Sequence, residues 1–109
     1  MQHIDKPWGY EEIIETNPNY TVKKLLMKTG NQCSYQYHEK KKETILALEG
    51  ELHIVLKDRV AVLKPGETMT IEPFVEHRMR AENEDALYLE CSTSELDDVV
   101  RLEDDYNRS

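Results

Sequence analysis

The sequence predicts an all-β fold, an antiparallel sandwich or barrel made as a single domain over residues 1–109. Three observations predict it. Apolar and polar side chains alternate with a period of two in many short segments. Turn-forming residues separate those segments at short intervals. No long stretch carries the apolar stripe of an amphipathic helix.

Taken in order, the chain opens on Met1-Gln2-His3-Ile4-Asp5, which has no apolar run of the signal-peptide kind and reads as a mobile terminus at His3. Alternating segments follow over residues 20–27, 44–48, 51–56, 61–63, 69–71 and 86–91, and each is expected to form a strand. Asn17-Pro18-Asn19, Thr29-Gly30-Asn31, Glu49-Gly50-Glu51, Lys57-Asp58-Arg59, Lys64-Pro65-Gly66 and Glu82-Asn83-Glu84-Asp85 supply the turns. The last stretch interleaves Leu96, Val99, Val100 and Leu102 with acids, a pattern that fits a short helical turn followed by a strand.

Composition narrows the function. Fourteen Lys and Arg against 22 Asp and Glu give a formal net charge of −8, so a nucleic-acid-binding surface is not expected. The expected partner is a small molecule or another protein. No segment approaches the ~20 apolar residues of a membrane helix. A cytoplasmic protein with no membrane partner is therefore expected. Cys33 and Cys91 have no CxxC spacing and are expected to be buried free thiols in a reducing compartment.

The chemistry concentrates between Gly30 and Gly50, where Gln36, His38 and Glu43 offer three metal-ligand types within eight positions. In a strand, Gln36 and His38 project to one face. Glu43 returns from the far side of a bend at Glu39-Lys40-Lys41-Lys42, and His77, after a proline-containing loop, is the best candidate for a fourth ligand. One amide oxygen, two imidazoles and a carboxylate suit Zn, Mn, Fe, Co or Ni. A merely polar strand face is the competing reading of the same residues. Glu90 stands out separately, because an acid in the apolar run Leu87-Tyr88-Leu89-Glu90-Cys91 is costly unless used or paired. His53, on an expected strand, is read as outside the site.

The spacing Gly-x5-(His or Gln)-x-His-x4-Glu-x6-Gly, filled by Gly30, Gln36, His38, Glu43 and Gly50, resembles the first motif of the cupin superfamily. Gly66 and His77 match the second motif less completely: Pro73 is one place late, Phe74 stands where glycine is usual, and Ala81 replaces an asparagine. Within that superfamily, Lys6-Pro7-Trp8-Gly9-Tyr10-Glu11, Gln36-Tyr37-His38 and the ending Asp98-Val99-Val100-Arg101 through Asp105-Tyr106-Asn107-Arg108 resemble the type II mannose-6-phosphate isomerase domain. In many bacteria that domain is the C-terminal part of a bifunctional enzyme with a GDP-mannose pyrophosphorylase. Lys40, Lys41 and Thr44-Ile45 depart from its pattern.

The resemblance implies a small cupin barrel, a double-stranded β-helix or jelly roll. It implies a divalent metal ion, zinc first, held by Gln36, His38, Glu43 and His77. The implied activity is aldose–ketose isomerisation of mannose 6-phosphate and fructose 6-phosphate or a close sugar phosphate. Glu90 is expected to carry the proton between C1 and C2. Arg101 is expected to serve catalysis and to bind the phosphate, whose oxygens match its planar fork, with Lys41 second at the barrel mouth. Trp8 is expected to line the sugar pocket or to anchor the N-terminal segment. A homodimer is expected by analogy and from the need to cover sheet edges. The alternative function is a non-catalytic metal- and sugar-binding cupin accessory to polysaccharide synthesis. An iron-dependent oxygenase is a third reading, against which Gln36 and the isomerase-like ends argue.

Overall fold

The computed structural model describes residues 1–95 and 97–106. Among these the chain forms β1 (Gln2–Lys6), β2 (Gly9–Thr16), β3 (Thr21–Met27), β4 (Tyr35–Tyr37), β5 (Glu43–Glu49), β6 (Leu52–Leu56), β7 (Val60–Leu63), β8 (Thr68–Ile71), β9 (His77–Arg80), β10 (Ala86–Ser92) and β11 (Val100–Glu103), with no helix. Six strands make one sheet in the order β1-β2-β3-β10-β5-β8, and five make the other in the order β11-β4-β9-β6-β7. Every pairing is antiparallel.

Alternation along the strands decides what enters the space between the sheets. Thr21, Lys23, Leu25 and Met27 of β3 are buried, as are Ala86, Tyr88, Glu90 and Ser92 of β10 and Glu43, Ile45 and Ala47 of β5. Register then stacks them in rows: Leu25, Tyr88 and Ala47 form one, Lys23, Glu90 and Ile45 the next, and Thr21, Ser92 and Glu43 the third. The interior therefore passes from apolar to polar along the strands. Ile45, Ala47, Leu52, Ile54, Leu63 and Ile71 fill the side where β5 and β8 face β6 and β7. Each fully buried Leu or Ile there contributes about 1.5–3 kcal/mol relative to exposure.

Two glycines make close approaches that a side chain would block. At Gly9, the first residue of β2, a Cβ would lie 1.8 Å from the Leu26 carbonyl oxygen. Gly50 has φ +71, and a Cβ there would meet the Asp85 carbonyl oxygen at 2.1 Å.

Four sequence expectations are corrected or completed. His3 is not in a loose terminus but in β1, where its ring contacts Glu12 at 2.9 Å and Asp5 at 3.0 Å. Cys91 is exposed, because it falls between the inward Glu90 and Ser92 of β10. Cys33 is half-buried rather than fully buried, and desolvation of its thiol pushes it up to about 11. The C-terminal stretch gives the expected strand as β11 but no helical turn among the described residues; Leu96, Asn107 and Arg108 lie outside them. Among the described residues no helix is long and apolar enough to cross a membrane.

Candidate metal centre and cavity

Three of the four expected ligands meet. His38 follows the end of β4, Glu43 opens β5 and His77 opens β9, and one ligand atom from each lies within 4.8 Å of the others. All three side chains are buried. Glu43 Oε1 is 3.5 Å from His38 Nε2 and 3.2 Å from His77 Nε2.

Both imidazoles are oriented from behind. His77 Nδ1 donates to the Val75 carbonyl at 2.9 Å, and His38 Nδ1 donates to the Asp98 carbonyl at 2.5 Å. Each ring therefore turns its Nε2 lone pair inward, toward the other and toward Glu43. His38 Nε2, His77 Nε2 and Glu43 Oε2 are buried with no hydrogen-bond partner among the described residues. The two imidazole nitrogens face Glu43 Oε1, while Oε2 faces Lys41 Nζ at 3.5 Å. Two buried, unsatisfied imidazole nitrogens meeting at one carboxylate are costly in a core and are the donor set of a divalent cation. The residues present thus fit the metal that the sequence implied.

Gln36 stands opposite His77 in the β4–β9 pairing and lines the adjacent cavity, so it is next to the group. Its Oε1 accepts a hydrogen bond from Ser34 Oγ at 2.5 Å. An amide oxygen keeps a second lone pair after that bond.

The cavity, of about 600 Å³, opens between the β1–β2–β3 side of the larger sheet and the β4–β11 side of the smaller. His38, Lys41 and Glu90 line its floor, Tyr88 and Met79 add apolar wall, and Lys6, Glu11, Lys23 and Arg101 supply charge. Arg101 lies opposite Gln36 across the β11–β4 pairing, so it belongs to the wall rather than to a solvated exterior. Trp8 is both in the core and on the cavity.

Lys41 departs from its expected place. The resemblance implies a position at the barrel mouth, whereas the side chain is buried, with Nζ 3.3 Å from Glu90 Oε1 and 3.5 Å from Glu43 Oε2. Its neighbours Lys40 and Lys42 are exposed, as a run of lysines normally is. Glu90 is likewise inside, paired with Lys41. His53 faces outward between the buried Leu52 and Ile54, outside the site as expected.

The ionisation of this cluster follows from one lysine shared by two carboxylates. Burial alone would push Glu43 up, but the two imidazoles and Lys41 outweigh it and hold Glu43 well below the usual carboxylate range. Glu90 is raised, by burial first and then by the Glu43 charge, against the pull of Lys41 and Lys23. Glu90 is thus the member of the pair that takes up a proton first. Burial works against a charge on Lys41 and on His38 as well, yet Glu90 and Glu43 keep Lys41 raised, and Glu43 with the Asp98 carbonyl keeps His38 raised.

Sequence reasoning missed four contributors. Glu11 and Lys23 form an ion pair at 3.6 Å on the cavity wall, and Lys6 lies 3.9 Å from the same carboxylate. Their inward alternation on β2 and β3 was the available signal. Asp98 accepts backbone N–H bonds from Glu39, Lys40 and Lys41, which no sequence spacing announces.

Two packed antiparallel sheets with metal-type side chains converging at one end define a cupin domain. Solved structures share this fold: KdgF from Halomonas sp. superposes with a TM-score of 0.80 at 17% identity, covering 89% of both chains. The polyketide cyclase RemF from Streptomyces resistomycificus gives 0.79 at 16% identity, over 94% of this chain and 76% of the other. Residues 1–104 match the family described as mannose-6-phosphate isomerase C-terminal, and the chain belongs to that family. The xanthan biosynthesis protein XanB of Xanthomonas campestris pv. campestris (strain B100) is 32% identical over 97% of this chain and 24% of its own length. A mannose-1-phosphate guanylyltransferase of Salmonella montevideo is 30% identical over 99% of this chain and 24% of its own. The chain thus spans about a quarter of the length of these relatives.

Proposed function

We propose that this domain is a metal-dependent aldose–ketose isomerase that interconverts mannose 6-phosphate and fructose 6-phosphate or a close sugar phosphate. The observation that carries the reading is the convergence of the buried His38, Glu43 and His77 side chains beside a cavity whose lining includes His38, Lys41 and Glu90, a carboxylate held above its ordinary range by burial. Membership of an isomerase family supports it.

In this reading His38, His77 and Glu43 hold a divalent ion, zinc first, with Gln36 as the fourth ligand. The ion supplies Lewis-acid polarisation of the sugar oxygens. Glu90 moves the proton between C1 and C2, since its raised affinity for a proton matches a group that must both accept and return one. Lys41 keeps the second carboxylate, Glu43, ionised for the metal. Arg101 binds the phosphate, and Lys6 and Lys23 add positive charge on the same cavity. Trp8, Tyr88 and Met79 exclude water from the reacting carbons. We place the protein in the cytoplasm, as a homodimer through exposed sheet edges, with no nucleic-acid or membrane partner.

One observation favours a second reading, a cupin that binds its ligand without turnover. Lys41 already contacts Glu90, so the expected proton carrier is engaged in an ion pair. A coupled assay of mannose 6-phosphate and fructose 6-phosphate interconversion, on metal-stripped protein reloaded separately with Zn, Mn, Co and Ni, decides between them. Metal-restored turnover that His38→Ala abolishes supports the isomerase. Tight metal binding with no turnover on either sugar phosphate overturns it in favour of the binding module.

A further inference from the structure

We infer that Asp98 is a positioning residue of the metal centre, tying the loop between two ligands to the strand-end segment that aligns His38. The inference rests on the metal reading above.

The two histidines are held in different ways. His77 donates to the carbonyl of Val75, two residues earlier in its own loop, so its orientation is local. His38 donates to the carbonyl of Asp98, sixty residues away in sequence, and an acceptor from so distant a segment orients the ring only if it is itself fixed. The side chain of Asp98 fixes it. Its Oδ1 accepts from the N–H of Glu39 at 3.0 Å, and its Oδ2 accepts from those of Lys40 at 2.7 Å and Lys41 at 2.9 Å. Three successive N–H groups around one carboxylate make an anion nest, here occupied by a side chain of the same protein.

Residues 39–41 are also most of the link between His38 and Glu43. The link must turn so that both ligands face one point and Lys41 turns inward while Lys40 and Lys42 stay exposed. Asp98 therefore acts on both ligands at once, through its carbonyl on His38 and through its carboxylate on the approach to Glu43. The segment that bears it continues directly into Arg101 on the cavity wall. Metal-site geometry and the cavity wall consequently share one anchor.

The test compares wild type, Asp98→Ala and the near-isosteric Asp98→Asn. Zinc affinity by chelator competition is expected to fall roughly 10–100-fold in Asp98→Ala, the range for lost outer-shell partners, and less in Asp98→Asn, which keeps one acceptor oxygen. Imidazole nitrogen-15 shifts of the metal-free protein, under alkaline conditions, supply the second readout. In wild type both rings should show the Nδ1–H tautomer; in the variants His38 should become a tautomer mixture while His77 keeps its own. Unchanged zinc affinity with an unchanged His38 tautomer overturns the inference. So does parallel loss of order at both rings, which marks general loosening. If Asp98→Ala does not fold, Asp98→Asn decides alone by the same criteria. A wild-type protein that binds no zinc or other divalent ion refutes the metal reading itself, and the His38 against His77 comparison still decides the role of Asp98.

Discussion

The two sides of the barrel are built by the same alternation and end in opposite states. Where β5 and β8 face β6 and β7, the inward positions are Ile45, Ala47, Leu52, Ile54, Leu63 and Ile71, and the sheets close on one another. Where β1, β2 and β3 face β4 and β11, the inward positions include Glu11, Lys23, Gln36 and Arg101, and a cavity of about 600 Å³ remains. Backbone geometry is shared, so residue type alone makes the difference. Apolar side chains gain by excluding water, whereas ionisable ones lose unless each finds a partner, and the partners found here are one another. The closed side supplies stability on which the open side draws.

The sharpest way to separate the two is to remove a ligand. His77→Ala should reduce metal binding by more than the roughly 10–100-fold that outer-shell changes cost, and metal content after dialysis, read by mass spectrometry, checks it. The same variant should stay folded by circular dichroism, because it removes an unsatisfied ring nitrogen from the core. Loss of fold together with metal would mean that the two sides are not separable.

The converse change is Ile54→Ala, at a fully buried position on the closed side. It should cost about 2–5 kcal/mol in urea unfolding while leaving zinc affinity within about twofold of wild type. A large drop in zinc affinity in protein that is still folded would show that core packing sets the metal geometry.

At neutral pH Glu90 should oppose stability while Glu43 supports it. Glu90 has a raised folded-state pKa, so its contribution is present below the ordinary carboxylate range and lost as pH rises through the folded value. Glu43 is lowered, so its contribution is present above that range and lost on acidification. Glu90→Gln, which keeps an oxygen for Lys41, should therefore raise the urea midpoint of metal-free protein at neutral pH. The gain should vanish below the ordinary carboxylate range. An equal gain at every pH would assign the effect to packing.

Much of this contrast was legible in the sequence, and the exceptions share a cause. Period-two alternation marks most strands because side chains on a half-buried sheet must choose a face, and the spacing of His38, Glu43 and His77 marks the metal group. The inward turn of Lys41 was not legible. Three consecutive lysines look alike, and which one turns inward depends on Asp98, whose carboxylate binds the loop from 57 residues away. The closing strand β1 was missed as well, since His3 gains its order only by pairing with Glu12 on β2. Local pattern shows which residues prefer a face; it does not show which distant carboxylate will bend a loop.

Phe74 gives the smallest effect and tests the loop between the two sides. It occupies the position where the cupin pattern usually has glycine, and it has φ 67, the left-handed region that glycine enters freely. The loop thus keeps the backbone shape although the residue has changed, because the Phe74 N–H donates to the His38 carbonyl at 2.6 Å and the ring stacks on Tyr37 at 5.9 Å. Phe74→Ala should lose the stack and keep the strain, and Phe74→Gly should lose the stack and release the strain. In ordinary strand positions glycine is the less stable of the two. Here the glycine variant should be the more stable by about 1 kcal/mol in thermal or urea unfolding. The reverse order would mean that the left-handed backbone is not retained once the ring is gone, and that the stack rather than the His38 hydrogen bond shapes the loop leading into His77.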